Sequence, residues 1–223
     1  MSPPALPGPS VRRVMGLVLL ALLPGVLAQI ARFGVALALR LLLAIACALA
    51  VEAIALRCRR RDLRPFLTDL SAPVAAVLLV LALPFAIPWW LTCIGIIAAL
   101  AIGKHMYGGL GDNVFNPAMF GCALLLAGFP AYLQAAPTTV DPTSGLPWVP
   151  MMYALGGLFL LWKKIIRWHA PALMLAGALA THLLYPSLAE ATWKGADPFA
   201  GLSPPIVLGA FFIVTDPVTG CLS

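Results

Sequence analysis

Two polar segments interrupt an otherwise apolar chain, and their side chains are of the kind that handle hard cations. The first runs Tyr107-Gly108-Gly109-Leu110-Gly111-Asp112-Asn113-Val114-Phe115-Asn116-Pro117-Ala118-Met119. Asp112, Asn113 and Asn116 offer carboxylate and carboxamide oxygens, which suit a cation such as Na⁺. The same residues are also ordinary turn formers. Asn116, directly before Pro117, is placed to cap a new helix. The second segment ends Val214-Thr215-Asp216-Pro217-Val218-Thr219-Gly220, where Asp216 brings a charge to the end of an apolar run. A carboxylate near the membrane interior is costly and usually functional, and the other reading is a helix cap at the membrane edge. Between the two lies a hydroxyl-bearing stretch, Thr138, Thr139, Thr143 and Ser144.

Other ionisable residues lie within or beside apolar runs. Glu52 is expected to face protein or reach the membrane surface. Lys104 and His105 fall at the end of a run, where snorkelling to the interface is ordinary. The chain has no nucleophile elbow, no phosphate-binding loop and no dinucleotide fingerprint. The five cysteines, Cys47, Cys58, Cys93, Cys122 and Cys221, show no paired CxxC spacing, so they read as packing residues rather than as a metal site. No residue is assigned a catalytic role.

The elements that position these groups are set by composition. Of 223 residues, 62% are hydrophobic and 10% charged, against about 25% charged in a soluble domain. Such a chain cannot clothe a wetted surface. It reads as an all-α integral membrane protein, a polytopic bundle of about eight spans, given about 20 apolar residues per crossing. The runs are 14–33, 35–56, 70–87, 89–103, 117–132, 151–162, 170–185 and 205–214. The net charge of +6 is gathered in short clusters between runs, Arg57-Cys58-Arg59-Arg60-Arg61 above all. That is a topology signal rather than a nucleic-acid face. It places the N-terminus, residues 1–13, in the cytoplasm and the segment 134–149 outside. Residues 14–133 and 150–223 then form two membrane halves. The polar breaks, one in each half, predict interrupted helices facing a shared site.

Three stretches resemble a known family: Lys104–Met119 (KHMYGGLGDNVFNPAM), Leu160–Leu175 (LLWKKIIRWHAPALML) and Leu208–Gly220 (LGAFFIVTDPVTG). They are similar to the D subunit of the Rnf ion-translocating electron-transport complex. They also resemble the B subunit of the sodium-pumping NADH:quinone reductase. The resemblance implies a subunit of a bacterial inner-membrane complex. Such a complex exchanges electrons between ferredoxin and NAD and moves Na⁺ or H⁺, with the other subunits and membrane lipid as partners. It also implies FMN, attached through its phosphate to a threonine immediately before a proline on the outward side. Here Leu146 occupies that position, before Pro147, and Thr143 is the nearby hydroxyl that could take the flavin if the register has slid. The chain reaches Ser223 directly after the TDPVT segment, where family members continue, so the second half is expected to be incomplete. The competing functional readings are a non-redox transporter or channel-like protein and an inactive truncated remnant.

Overall fold

The structure is a computed structural model and describes residues 11–60, 68–107, 115–135, 148–184 and 203–215. These residues form helices and turns. An apolar medium offers no hydrogen bonds, and the helix satisfies its backbone internally. Each of the eight apolar runs forms a helix. Helix α1 is Val11–Phe33, α2 Val35–Cys58, α3 Ser71–Ala82 and α4 Trp89–Ile97. Helix α4 continues as a wider π-helical stretch, Ala98–Met106. Helices α5 (Pro117–Gly128) and α6 (Pro130–Ala135) share the fifth run, which is broken where Pro130 offers no N–H to continue the first of them. Helix α7 is Trp148–Trp162, α8 His169–Leu184 and α9 Pro204–Leu208, which also passes into π geometry over Gly209–Ile213.

Three helices are long and apolar enough to cross a membrane: Val11–Phe33, Val35–Cys58 and Trp89–Met106, the last being α4 with its π-helical extension. The others are shorter apolar helices packed among them. This is an all-α, multi-pass membrane protein. The long helices α1 and α2 join through a single residue, Gly34, at φ 72°. A side chain is disfavoured in that left-handed region, so glycine suits the hairpin. Next to it, Arg40 holds the Pro84–Ile87 turn. Its guanidinium donates to the Ile87 carbonyl at 2.5 Å and to that of Pro84 at 3.5 Å, and it lies 5.3 Å from the Phe85 ring centroid. Phe85 in turn stacks on Phe33 at 4.5 Å. Arg40 therefore satisfies carbonyls of a turn that no helix uses.

Helices α1 and α7 make the closest crossing. Ala21 and Gly25, four apart, lie on one face of α1. The Tyr153 ring seats on Gly25, while Gly156 comes against the Ala21 carbonyl. Lipid tails are as apolar as leucine, so association rests on close packing, which small residues permit. We predict that Gly156→Ala, whose Cβ would meet the Ala21 backbone, destabilises the protein by about 1–3 kcal/mol. Gly177→Ala on α8, where nothing lies within 4 Å, should be neutral or stabilising by up to about 1 kcal/mol. Unfolding of the two variants in detergent, side by side, measures the contrast.

Candidate functional site: a buried charge cluster

Helix α2 carries Glu52 to a position of 0% exposure, near the arginine-rich end of the helix. The π-helical end of α4 brings Lys104 (2% exposed) and His105 (8%) to the same point. In π geometry a turn holds more residues, so successive side chains diverge less around the axis than in an α-helix. Neighbours Lys104 and His105 can therefore face one partner. Lys104 Nζ lies 2.6 Å from Glu52 Oε1. It also donates to Ser71 Oγ at 2.8 Å.

Ser71 opens α3, and the preceding turn is shaped by Asp69. One carboxylate oxygen, Asp69 Oδ1, accepts both the Ser71 N–H at 2.8 Å and the Ser71 hydroxyl at 2.6 Å. Leu70, between them, takes a left-handed conformation at φ 66°. The result is a continuous buried chain, Glu52–Lys104–Ser71–Asp69, that ties three helices together at one end of the bundle. His105 stands beside it, its Nε2 3.5 Å from Glu52 Oε1. That is an ion-pair separation without a hydrogen bond. Glu52 Oε2 and both ring nitrogens of His105 are buried and have no hydrogen-bond partner among the described residues.

These positions correct the reading of Lys104 and His105 as snorkelling cations at a span end. Lys104 is an internal counter-ion, and its charge does not report topology. The reason is mutual compensation: an ammonium and a carboxylate that are each too costly to bury alone can be buried together. A signal was available in the sequence. Glu52 within one apolar run and Lys104 at the end of another are more economical as partners than as separate exceptions. Glu52 does face protein, as one of its two expected placements had it.

The other sequence candidates fall differently. Asn116 is the N-cap of α5: its Oδ1 accepts the N–H groups of Ala118 at 2.9 Å and Met119 at 3.3 Å, with Pro117 at the first turn. Asp112, Thr143, Leu146 and Asp216 lie outside the described residues. Thr215, at the end of α9, donates its hydroxyl back to the Phe211 carbonyl at 2.5 Å. A cleft of about 670 Å³ opens between α1 and α7, lined by Leu20, Leu27, Trp148, Met152, Leu155 and Phe159 among others. Its lining is almost wholly apolar.

The chain matches the NQR2, RnfD, RnfE family over residues 1–149 and again over residues 138–223. The chain belongs to this family. Among curated relatives it is similar to the D subunit of the ion-translocating oxidoreductase complex from Pseudomonas aeruginosa (strain LESB58). The two are 38% identical, over 94% of this chain and 76% of the relative. The proteins of the same name from Aliivibrio salmonicida (strain LFI1238) and Vibrio cholerae (strain O395) are 35% and 37% identical. They match over 98% and 92% of this chain and 81% and 78% of their own lengths. The Pseudomonas alignment spans 261 positions, more than the 223 residues of the chain, so this NQR2, RnfD, RnfE family relative has internal stretches with no counterpart here. The two family matches meet over 138–149, the stretch that contains Thr143 and Leu146.

Removing one partner of a buried ion pair leaves the other charge uncompensated, at a cost of about 3–5 kcal/mol. We predict losses of that order for Glu52→Gln and for Lys104→Met alone, and a smaller loss for the double variant than for the two added together. A double-mutant cycle on detergent unfolding measures it; simple additivity would mean that the pair is not coupled.

Proposed function

We propose that the chain is a membrane subunit of an Rnf-like ion-translocating oxidoreductase complex in the bacterial inner membrane, with its N-terminus in the cytoplasm. The observation that carries this reading is family membership together with 38% identity to a subunit of that name over 94% of the chain. In this reading the chain works with the other subunits and contributes to coupling electron flow to Na⁺ or H⁺ movement. Asp112, Asn116 and Asp216 are its proposed ion-pathway residues. Asn116 would act there through its position at the start of α5, since its side-chain oxygen already caps that helix. The basic cluster Arg57, Arg59 and Arg60 at the end of α2 supports a cytoplasmic location for that end.

FMN is the cofactor that such a subunit would use as a one- or two-electron carrier. This chain does not fit the family's usual attachment, because Leu146, before Pro147, has no hydroxyl. We therefore derive no electron-transfer step through a flavin. Thr143 is the proposed attachment position, because a threonine hydroxyl can accept a phosphodiester and leucine cannot.

Affinity purification of the tagged chain from membranes that contain the remaining subunits tests the assembly. Co-purification of those subunits, with ion uptake in vesicles that is lost on deleting the chain, is the expected result. Isolation of the chain alone, with ion uptake intact in its absence, would favour the reading as a separate membrane protein. In-gel flavin fluorescence with intact mass, from a host that supplies the flavin-attaching enzyme, tests the cofactor separately. An FMN mass increment lost in Thr143→Ala would put the flavin on that hydroxyl. A dark band at the unmodified mass would remove covalent flavin from the assignment.

A further inference from the structure

The cleft between α1 and α7 opens outward rather than into the bundle. Leu20, Leu23 and Leu27 of α1 and Leu155 of α7 line it, and all four are exposed. From Trp148 to Phe159, the two ends of its α7 wall, the helix rises about 17 Å. One leaflet of a bilayer's hydrocarbon core is about 15 Å deep. A groove of that length, about 670 Å³ in volume and walled by leucine and aromatic side chains, has the shape and chemistry to hold an acyl chain. A helix of the same length is about 10 Å across and occupies roughly twice that volume.

One mouth of the cleft is cationic. Gly25 meets Tyr153 and Ala21 meets Gly156, so α1 and α7 run antiparallel. The start of α1, with Arg12 and Arg13, therefore lies at the same end as Lys163 and Lys164 at the close of α7. The Lys163 ammonium is 4.3 Å from the Trp162 ring centroid and 5.9 Å from that of Phe159, which lines the cleft. Arg167 follows in the link to α8, and all five cations are exposed. Helix α7 closes in Schellman geometry, with the Ile165 N–H on the Leu160 carbonyl at 3.0 Å and the Lys164 N–H on that of Leu161 at 2.9 Å. Lys164 holds the left-handed position, φ 55°, where glycine is usual, so a cation is kept there despite backbone strain.

The acidic side chains among the described residues are Glu52 and Asp69, both buried. Outside them, 1–10 has no charged side chain, 61–67 has two arginines and one aspartate, and 108–114 and 216–223 have one aspartate each. Cations outnumber carboxylates at this end with those stretches counted. Topology asks for cations at a cytoplasmic end, but not that they frame an open apolar groove.

We propose that the α1–α7 cleft binds one anionic phospholipid, an acyl chain lying along the groove and the headgroup phosphate among Lys163, Lys164, Arg12 and Arg13. Basic groups beside a cleft between membrane helices favour an anionic headgroup over a neutral one. The inference stands on packing and charge and does not depend on the complex or on a flavin.

Native mass spectrometry of the full-length chain in detergent tests it, with phosphatidylglycerol titrated against phosphatidylcholine of the same acyl chains. One phosphatidylglycerol should be retained at least about tenfold more tightly. Lys163→Gln with Lys164→Gln should remove most of that preference, at about fivefold for each charge. Leu155→Trp, which fills the groove from an exposed position, should weaken both lipids. Arg57→Gln, a cation exposed at the end of α2, should change neither. Equal retention of the two lipids would overturn the proposal. So would a preference that Arg57→Gln lowers as much as the lysine variant, which would mean diffuse surface attraction, or binding indifferent to Leu155→Trp. In native membranes, a photo-reactive benzoylphenylalanine at position 155 should cross-link phosphatidylglycerol beyond its share of the lipid. A cross-link to a protein there, whether a second copy or another subunit, would overturn the assignment.

Discussion

A lysine ammonium that water does not reach has few stable surroundings, and the arrangement around Lys104 supplies acceptors for two of its three N–H groups. One carboxylate and one hydroxyl accept from it, and that hydroxyl donates its own hydrogen bond to a second carboxylate. Because these groups come from α2, from the start of α3 and from the turn before it, satisfying one charge fixes how three helices meet. The π-helical end of α4 follows from the same demand, since it turns Lys104 and His105 toward a common partner. Apolar packing alone would not select this register, because leucine and valine faces tolerate sliding past one another. The charge cluster does not, and that is the specifying role best established for buried polar groups.

Much of the helical framework was legible in the sequence because lipid imposes a simple rule. Uninterrupted apolar runs become helices, and the runs read from 14–33 and 35–56 differ by a few residues from the observed α1 and α2. Asn116-Pro117 was equally readable, since a side-chain oxygen followed by a residue without an N–H is a local signature of a helix start. The meeting of Glu52 with Lys104 was not readable in that way. The two are far apart in sequence, and pairing is a property of helix arrangement rather than of any local pattern. The split of the fifth run into α5 and α6 was marked by Pro130, whereas nothing in the residue types of Ala98–Met106 or Gly209–Ile213 separates π from α geometry.

The two helices that widen into π geometry, α4 and α9, are also those that lead toward the two polar segments. Such π-helical turns are rare and occur frequently at functional sites. In α4 the widening coincides with the charge cluster. In α9 it coincides with Phe211 and Phe212, buried against Gly157 and beside Tyr153. The same backbone device thus serves a polar junction in one place and an aromatic one in the other.

The crossing of α1 with α7 bears on how the protein is made. Helix α1 leaves the ribosome before α7, the partner of its Ala21–Gly25 face, which follows only after α2 to α6 have been synthesised. During that interval the small-residue face must rest against lipid, the insertion machinery or a temporary neighbour. Membrane insertion and final helix docking are therefore separate events in the life of this chain. The glycine seam is the place where a later helix docks onto one made well before it.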